Sequence, residues 1–441
     1  MGYEIIFAKI FYMISTDKFL TQIVDNGANG YGIAKQDGIV CFVPFSISGE
    51  EVLIHTKKFG KNFCECALDE VVSPSPSRVT PQCPYFGKCG GCTLQHMDKK
   101  SQLEYKTNQV KTILQRALKK ELSTNFCISE NSYHYRNKLN FAIVKNKPCF
   151  ADTDGNFFPV ENCPLFVCDI SHIIDIVNKY MSTIKTSFRA FHLRLLDGCY
   201  QFVFVSDSYE FPSSQQLIDA FLQEKLKFSL NLCKNTQKNS SNITDDLICL
   251  YGEENQPYDI LGLESLVSPA AFLQVNKDVQ NKIYVDIANL IPKDANVINA
   301  YGGTGILAAI IARLANVVYS VELNRGASQN CREIASQNHI SNLVSICGDC
   351  KNEIPKILKK QKITHIVFDP PRNGVNKNIL ELVANTKIEN IIYLSCNPST
   401  LARDLEMLCE NYEVMLIQPY DMFPQTHHIE TLVALRLKTK K

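Results

Sequence analysis

From residue 265 onward, short apolar runs of strand length recur at intervals long enough to hold a helix, and no other feature of this 441-residue chain constrains its fold so tightly. The runs are Val297-Ile298-Asn299-Ala300, Val317-Val318-Tyr319-Ser320-Val321, Val344-Ser345-Ile346-Cys347, Ile366-Val367-Phe368 and Ile391-Ile392-Tyr393-Leu394, with a helix over Ile306 to Leu314 after the first. Strands that alternate with helices pair in parallel and bury both faces. This predicts an α/β fold, a doubly wound Rossmann-like sheet that takes its ligand at the carboxyl ends of its strands. Too few residues for a helix separate Val414-Met415-Leu416-Ile417 from Thr431-Leu432-Val433-Ala434-Leu435, so an antiparallel pair is expected at that edge.

The chain before residue 265 reads differently. Residues 16–75 alternate apolar and polar positions between glycine turns, as in Gly38 to Val43 and Gly49 to Ile54, which predicts a small β-barrel. Ser73, Pro74, Ser75, Pro76 and Pro81 then form a linker. Residues 76–264 read as a central α+β domain: an amphipathic helix over 101–120, strand-like runs over 133–208, and a polar loop from Asn235 to Asp246. Residues 265–441 are the doubly wound domain.

Charge excludes little, since 46 Lys and Arg against 45 Asp and Glu leave a formal +1. The apolar opening Tyr3 to Ser15 is broken by Glu4 and Lys9, so neither a membrane span nor a secretory signal is expected, and the chain reads as cytoplasmic. In that compartment thiols stay reduced, so clusters among the 18 cysteines read as metal or catalytic sites.

Four groups stand at predicted strand ends. Tyr301-Gly302-Gly303-Thr304-Gly305 opens a helix and lets a ligand approach bare backbone amides; Glu322 follows 20 residues after Gly302, where a carboxylate can accept both ribose hydroxyls of an adenosine. The spacing suits a dinucleotide or S-adenosylmethionine, although the glycine order is not G-x-G-x-x-G. Asp369 precedes Pro370-Pro371, whose fixed φ angles make a stiff exit. Cys396, in Ser395-Cys396-Asn397-Pro398, sits before a helix start whose positive end is expected to lower its pKa below about 8.5 and make it a nucleophile. Glu430 before the last strand is a candidate general base. His427 and His428, neighbours expected to point in opposite directions, are not read as a metal pair.

Together with Ser268-Pro269-Ala270-Ala271-Phe272-Leu273-Gln274-Val275-Asn276, Asp369-Pro370-Pro371-Arg372-Asn373-Gly374, Ser395 through Asp404 and Asp421 through Glu430, these residues resemble the signatures of RNA uridine-5-methyltransferases over residues 16 to 437. The resemblance implies transfer of a methyl group from S-adenosylmethionine to carbon 5 of a uridine, with Cys396 adding to carbon 6 and Glu430 removing the carbon-5 proton. It implies Gln274, Tyr301, Glu322, Asp369 and, more weakly, Asp349 at the methyl-donor site, and an RNA-binding TRAM identity for the barrel. An extruded base would meet Phe272, and phosphates would meet Arg136 and Lys138. Asn299 stands where the family usually has an acidic residue, and Gly302 where it often has cysteine or serine.

Cys83, Cys89 and Cys92 follow the pattern C-x5-C-x2-C, with Cys163 after a gap of 70 residues. Spacing alone leaves zinc and an iron-sulfur cluster open. The resemblance implies a 4Fe-4S cluster, with zinc second, in a structural role. Members so equipped act mostly on large-subunit ribosomal RNA, so 23S ribosomal RNA is the expected partner. The competing readings are a transfer-RNA uridine-5-methyltransferase, a non-catalytic RNA-binding or ribosome-assembly protein on the same fold, and a cytosine methyltransferase, whose motif the cysteine segment does not resemble.

Overall fold

The computed structural model describes residues 18–184, 188–237, 240–386 and 388–439; the apolar opening Tyr3 to Ser15 lies outside the described residues. The chain divides into two compact units. The first takes in the described residues up to Gln109, with Asp152–Gly155 and Gln425–His428; the second takes in Val110–Ala151, Asn156–Pro424 and the residues from Ile429 on.

In the first unit, strands β1 (Phe19–Gln22), β2 (Asp25–Asn26), β3 (Gly32–Gln36), β4 (Ile39–Val43), β5 (Glu51–Phe59) and β6 (Phe63–Ser73) form one sheet in the order β1-β5-β6-β4-β3-β2. All pairs are antiparallel except β4 with β6. Alternation turns Val52 and Ile54 inward onto Ile23, Ala34 and Val43. Past β1 the chain bends across to β3, with the Val24 N–H donating to the Ile33 carbonyl at 2.8 Å. Buried Glu50 fastens the proline-rich linker: it accepts Arg78 Nε at 2.5 Å and Nη2 at 2.7 Å, the Ser75 N–H at 3.1 Å and the Ile47 N–H at 2.8 Å. Helix α1 (Lys99–Leu118) begins in this unit, and Gln102 Nε2 donates to Gln425 Oε1 at 3.0 Å. The rings of His427 and His428 lie 4.1 Å apart, side by side rather than opposed, because the tight segment that starts at Gln425 (φ +70°) is not extended.

The second unit carries two seven-stranded sheets. The first contains β7 (Lys138–Val144), β8 (Lys147–Ala151), β9 (Phe157–Pro159), β10 (Ala190–Leu196), β11 (Cys199–Ser206), β12 (Phe228–Lys234) and β13 (Leu247–Tyr251), in the order β13-β12-β11-β10-β7-β8-β9. Helices α2 (Ser171–Thr183) and α3 (Ser214–Gln223) belong with it, and a hairpin of β14 (Gln256–Ile260) and β15 (Leu263–Val267) follows.

The expected alternation then begins: α4 (Lys277–Asn289), β16 (Asn296–Ala300), α5 (Ile306–Ala312), β17 (Val317–Glu322), α6 (Arg325–Gln337), β18 (Leu343–Cys347), α7 (Cys350–Lys360), β19 (His365–Phe368), α8 (Lys377–Asn385), β20 (Asn390–Ser395), α9 (Pro398–Leu408), β21 (Tyr412–Tyr420) and β22 (Glu430–Leu437). The sheet order is β18-β17-β16-β19-β20-β22-β21, parallel through β20 and antiparallel at β22 and β21. The short helix α5 is apolar all round and every residue in it is buried, which is why it can only be internal. Among the described residues no helix is long and apolar enough to cross a membrane.

Candidate active site

The parallel strands β16, β17, β19 and β20 end on one edge, and the four sequence groups stand there. After β16, Tyr301 takes φ +60° and the chain turns through Gly302 to Gly305, with the Gly305 N–H bonded to the Gly302 carbonyl at 3.0 Å. Gly305 has φ +87°, and a Cβ there would lie 2.4 Å from Cys331 Cβ, so both backbone and space demand glycine. Glu322, the last residue of β17, accepts the Gly303 N–H at 2.9 Å through one oxygen and the Asn324 N–H at 2.7 Å through the other. Each oxygen keeps a second lone pair for a ligand hydroxyl. Beneath the turn, Asn299 and Ser320 are opposite in register and buried; the Asn299 amide and Ser320 Oγ have no hydrogen-bond partner among the described residues.

Tyr301, Glu322, Asp349 and Asp369 share a cleft of about 1070 Å³, whose wall also includes Pro371 and Arg403. Asp349 caps α7, accepting the Lys351 N–H at 3.0 Å and its ammonium at 3.1 Å; these bonds lower its carboxyl below the usual range. Gln274 does not line this cleft. Its carbonyl accepts Asn137 Nδ2 at 3.2 Å.

At the next two strand ends the chemistry concentrates. β20 pairs with β22 antiparallel, Ser395 opposite Thr431, so the register carried one residue further sets Cys396 opposite Glu430. Asp369 follows β19, the other neighbour of β20. Burial pushes the Asp369 carboxyl up to about 7, and burial followed by the Asp369 charge pushes Glu430 well above the carboxylate range, with Arg372 opposing. The thiol of half-buried Cys396 does not follow the sequence expectation. α9 does begin beside it, with Asn397 Oδ1 accepting the Ser399 N–H at 3.1 Å and Pro398 in the first turn. Desolvation and the Glu430 charge nevertheless outweigh the helix end and Arg372, and raise the thiol to about 11.

A clamp that sequence reading passed over joins this turn to the loop after Asp369. Asp404 on α9, with no exposed surface, accepts the Val375 N–H at 2.9 Å and the Tyr393 hydroxyl at 2.6 Å on one oxygen, and Arg403 Nε at 2.8 Å on the other. Arg403 Nη2 donates to the Asn373 carbonyl at 2.9 Å, and Asn397 Nδ2 and Thr400 Oγ1 both reach the Arg372 carbonyl at 3.2 Å. Gly374, at φ +78°, makes room, since a Cβ there would sit 2.6 Å from Asp404 Oδ2.

A second fastening holds the irregular segment between β15 and α4. Arg194, 3% exposed, donates Nη2 to the Ala271 carbonyl at 2.8 Å and Nη1 to Ser268 at 3.3 Å; Gln201 Nε2 holds the Val267 carbonyl at 3.2 Å and the Asn137 N–H holds Val275 at 2.9 Å. Phe272, between these anchors, is 73% exposed. Lys138 pairs with Arg194 across β7 and β10; burial, then the Arg194 and Arg136 charges, push its ammonium down to about 7.

Of the four predicted metal ligands, Cys83, Cys89 and Cys92 are half-buried in a looped segment of the first unit, where the Phe86 N–H bonds the Cys83 carbonyl at 3.1 Å and the Cys89 N–H that of Tyr85 at 2.8 Å. Cys163, also half-buried, belongs to the second unit, its N–H on Asn162 Oδ1 at 2.8 Å.

The model of the tRNA (Uracil-5-)-methyltransferase family matches residues 267–438. An "uncharacterized RNA methyltransferase" of Caldanaerobacter subterraneus subsp. tengcongensis is 31% identical over 448 residues, covering 94% of this chain and 97% of its own. One from Protochlamydia amoebophila is 32% identical over 426 residues, covering 92% and 95%. Among solved structures, the Pyrococcus abyssi tRNA (uracil-54, C5)-methyltransferase in complex with S-adenosyl-L-homocysteine superposes with a TM-score of 0.76, covering 95% of this chain and 100% of that one; at 21% identity this likeness speaks for the fold. The length and level of the sequence matches go further, and the chain belongs to the S-adenosylmethionine-dependent RNA uracil-5-methyltransferase family.

Proposed function

We propose that this enzyme makes 5-methyluridine in 23S ribosomal RNA through a transient bond between Cys396 and carbon 6 of the target uracil. The observation that carries the reading is the adjacency of Cys396 and Glu430 across β20 and β22, with Asp369 at the neighbouring strand end. Carbon 5 of uracil is a poor nucleophile. Addition of the Cys396 sulfur to carbon 6, with the thiol proton passing to solvent, makes the ring an enolate that is nucleophilic at carbon 5. When bound, S-adenosylmethionine supplies an electrophilic methyl group. Glu430, ionised, then takes the proton left on carbon 5, and the carbon–sulfur bond breaks to release the thiolate. The donor set fits the cofactor: a glycine cradle, Glu322 for the ribose hydroxyls, and Tyr301, Asp349 and Asp369 around one cleft, with Gln274 kept as a candidate outside it.

Three-part organisation belongs to the same proposal: an RNA-binding TRAM-like barrel over 16–75, a central domain over 76–264 and the methyltransferase domain over 265–441. Cys83, Cys89, Cys92 and Cys163 form a donor set for a 4Fe-4S cluster, with zinc second, in a structural role, because this methyl transfer needs no electron. Phe272 is the contact for an extruded base, and Arg136 and Lys138 are the contacts for phosphate.

One observation favours a second reading: the matching family model and the superposing structure both carry transfer-RNA descriptions. Labelled methyl donor offered with 23S ribosomal RNA and with bulk transfer RNA separates the two. Label in 5-methyluridine of the ribosomal RNA, lost in Cys396→Ala, is the expected result; label only in transfer RNA supports the second reading, and RNA binding with no label in either supports a non-catalytic role.

A further inference from the structure

Three cysteines to which sequence reading gave no role converge inside the first unit. Cys41 on β4 lies opposite Cys64 on β6 in the parallel register, and Cys66 shares the inward face of β6 two residues on. Their sulfurs all lie within 4.8 Å of one another, with Cys41 to Cys64 at 3.0 Å and Cys64 to Cys66 at 3.5 Å. Each is at most 3% exposed, in a core otherwise built of Ile23, Ala34, Val43, Val52 and Ile54. Cys66 also forms part of the wall of a cleft of about 920 Å³, so a small ion has an approach to the buried sulfurs.

We propose that Cys41, Cys64 and Cys66 form a binding site for one thiophilic monovalent metal ion, of the Cu(I) type. Metal–sulfur bonds of about 2.3 Å in a trigonal plane separate the sulfurs by roughly 4 Å, which this group meets with side-chain shifts of about 1 Å. Hard cations need oxygen ligands, and the core offers none that is charged. A structural zinc site or an iron-sulfur cluster needs a fourth strong ligand, whereas the further polar groups these sulfurs meet among the described residues are neutral: the Thr56 hydroxyl, 4.0 Å from Cys66 Sγ, and the Ile39 carbonyl, 4.0 Å from Cys41 Sγ. Two thiolates, one thiol and a monovalent ion leave a single net negative charge, the smallest charge compatible with two metal–thiolate bonds in an apolar core. Binding therefore releases about two protons per ion to solvent, with no change of oxidation state.

Anaerobic full-length protein is titrated with Cu(I) against a chromophoric Cu(I) chelator, with proton release followed in parallel. Wild type is expected to take up one tight equivalent that is absent in Cys41→Ala/Cys64→Ala/Cys66→Ala and retained in Cys83→Ala/Cys89→Ala/Cys92→Ala/Cys163→Ala. X-ray absorption at the copper edge on that quadruple variant is expected to show three sulfurs at about 2.3 Å, which keeps the test decisive if the triple variant does not fold. Equal uptake by wild type and the triple variant, loss of the equivalent in the quadruple variant, or a copper shell without three sulfurs overturns the proposal.

Discussion

Asp404 links the helix that follows the nucleophile to the loop that follows Asp369, and the energy of that link can be worked from its contacts. Asp404→Ala deprives two buried donors, the Val375 N–H and the Tyr393 hydroxyl, of a charged acceptor. A hydrogen bond to a charged group contributes about 1.5–3 kcal/mol, so the pair contributes roughly 3–6 kcal/mol. Arg403 adds little, since its side chain is 57% exposed and such pairs contribute about 0–1 kcal/mol. The chain contains no tryptophan, so hydrogen exchange by mass spectrometry is the direct readout. Local opening cheaper by 3–6 kcal/mol speeds exchange in the peptides covering 372–376 and 398–408 by on the order of 10²- to 10⁴-fold, while β21 stays protected. Tyr393→Phe removes one contact and should give about half that energy, with a coupling of roughly 1–2 kcal/mol in the double variant. Methyl transfer should slow through kcat with little change in KM for RNA. Exchange within threefold of wild type in Asp404→Ala would refute the reasoning, as would lost activity without a loosened loop.

Further outcomes are expected. Glu430 must be ionised to accept a proton, and burial followed by the Asp369 charge holds it well above the usual carboxylate range, so kcat/KM should still be rising with pH where an ordinary carboxylate is already fully ionised. The stability that protonated Asp369 contributes is full below 3.8 and lost as pH climbs through about 7; Asp369→Asn should abolish that decline in a pH series of thermal melts. Glu50→Ala strands Arg78 and two backbone N–H groups and should cost about 3 kcal/mol by denaturant titration, the low end for a broken buried pair because Arg78 is 22% exposed. Burial works against ionised Glu50, but Arg78 and the Ile47 and Ser75 N–H groups hold its carboxyl below 4.5, so its contribution is present above 4.5 and fades as pH falls further, a loss Glu50→Ala should not show. Arg194→Met frees the Ser268 to Ala271 carbonyls and should lower kcat/KM for RNA by on the order of 10–100-fold, leaving S-adenosylhomocysteine affinity by calorimetry unchanged.

What could be read from the sequence was local. The α5 turn was legible because an apolar run, glycines and a second apolar run follow each other directly. The antiparallel β21 and β22 pair was legible because too few residues lie between for a crossover. Helix α2 was overlooked although Ile173, Ile174, Val177, Tyr180 and Met181 carry the helical period, since strand-like stretches surround it. The motif residues Cys396 and Glu430 could be named, but the raised thiol pKa could not, because it arises from burial and from charges on other strands. Asp404, Tyr393 and Arg194 act across 11 to 77 residues of chain, and spacing in one dimension holds no record of such contacts. Cys41 stands 23 residues before Cys64 and meets it only because β4 and β6 pair in parallel.

The central claim is a thiol that bonds to a pyrimidine ring and a carboxylate that lets it go. Glu430→Gln keeps the nucleophile and removes the base, so incubation with cofactor and target RNA, followed by nuclease digestion and mass spectrometry under denaturing conditions, should trap a methylated uridine attached to Cys396. An unmodified Cys396 peptide in a variant that still binds RNA and cofactor, or an adduct on any other residue, contradicts the account.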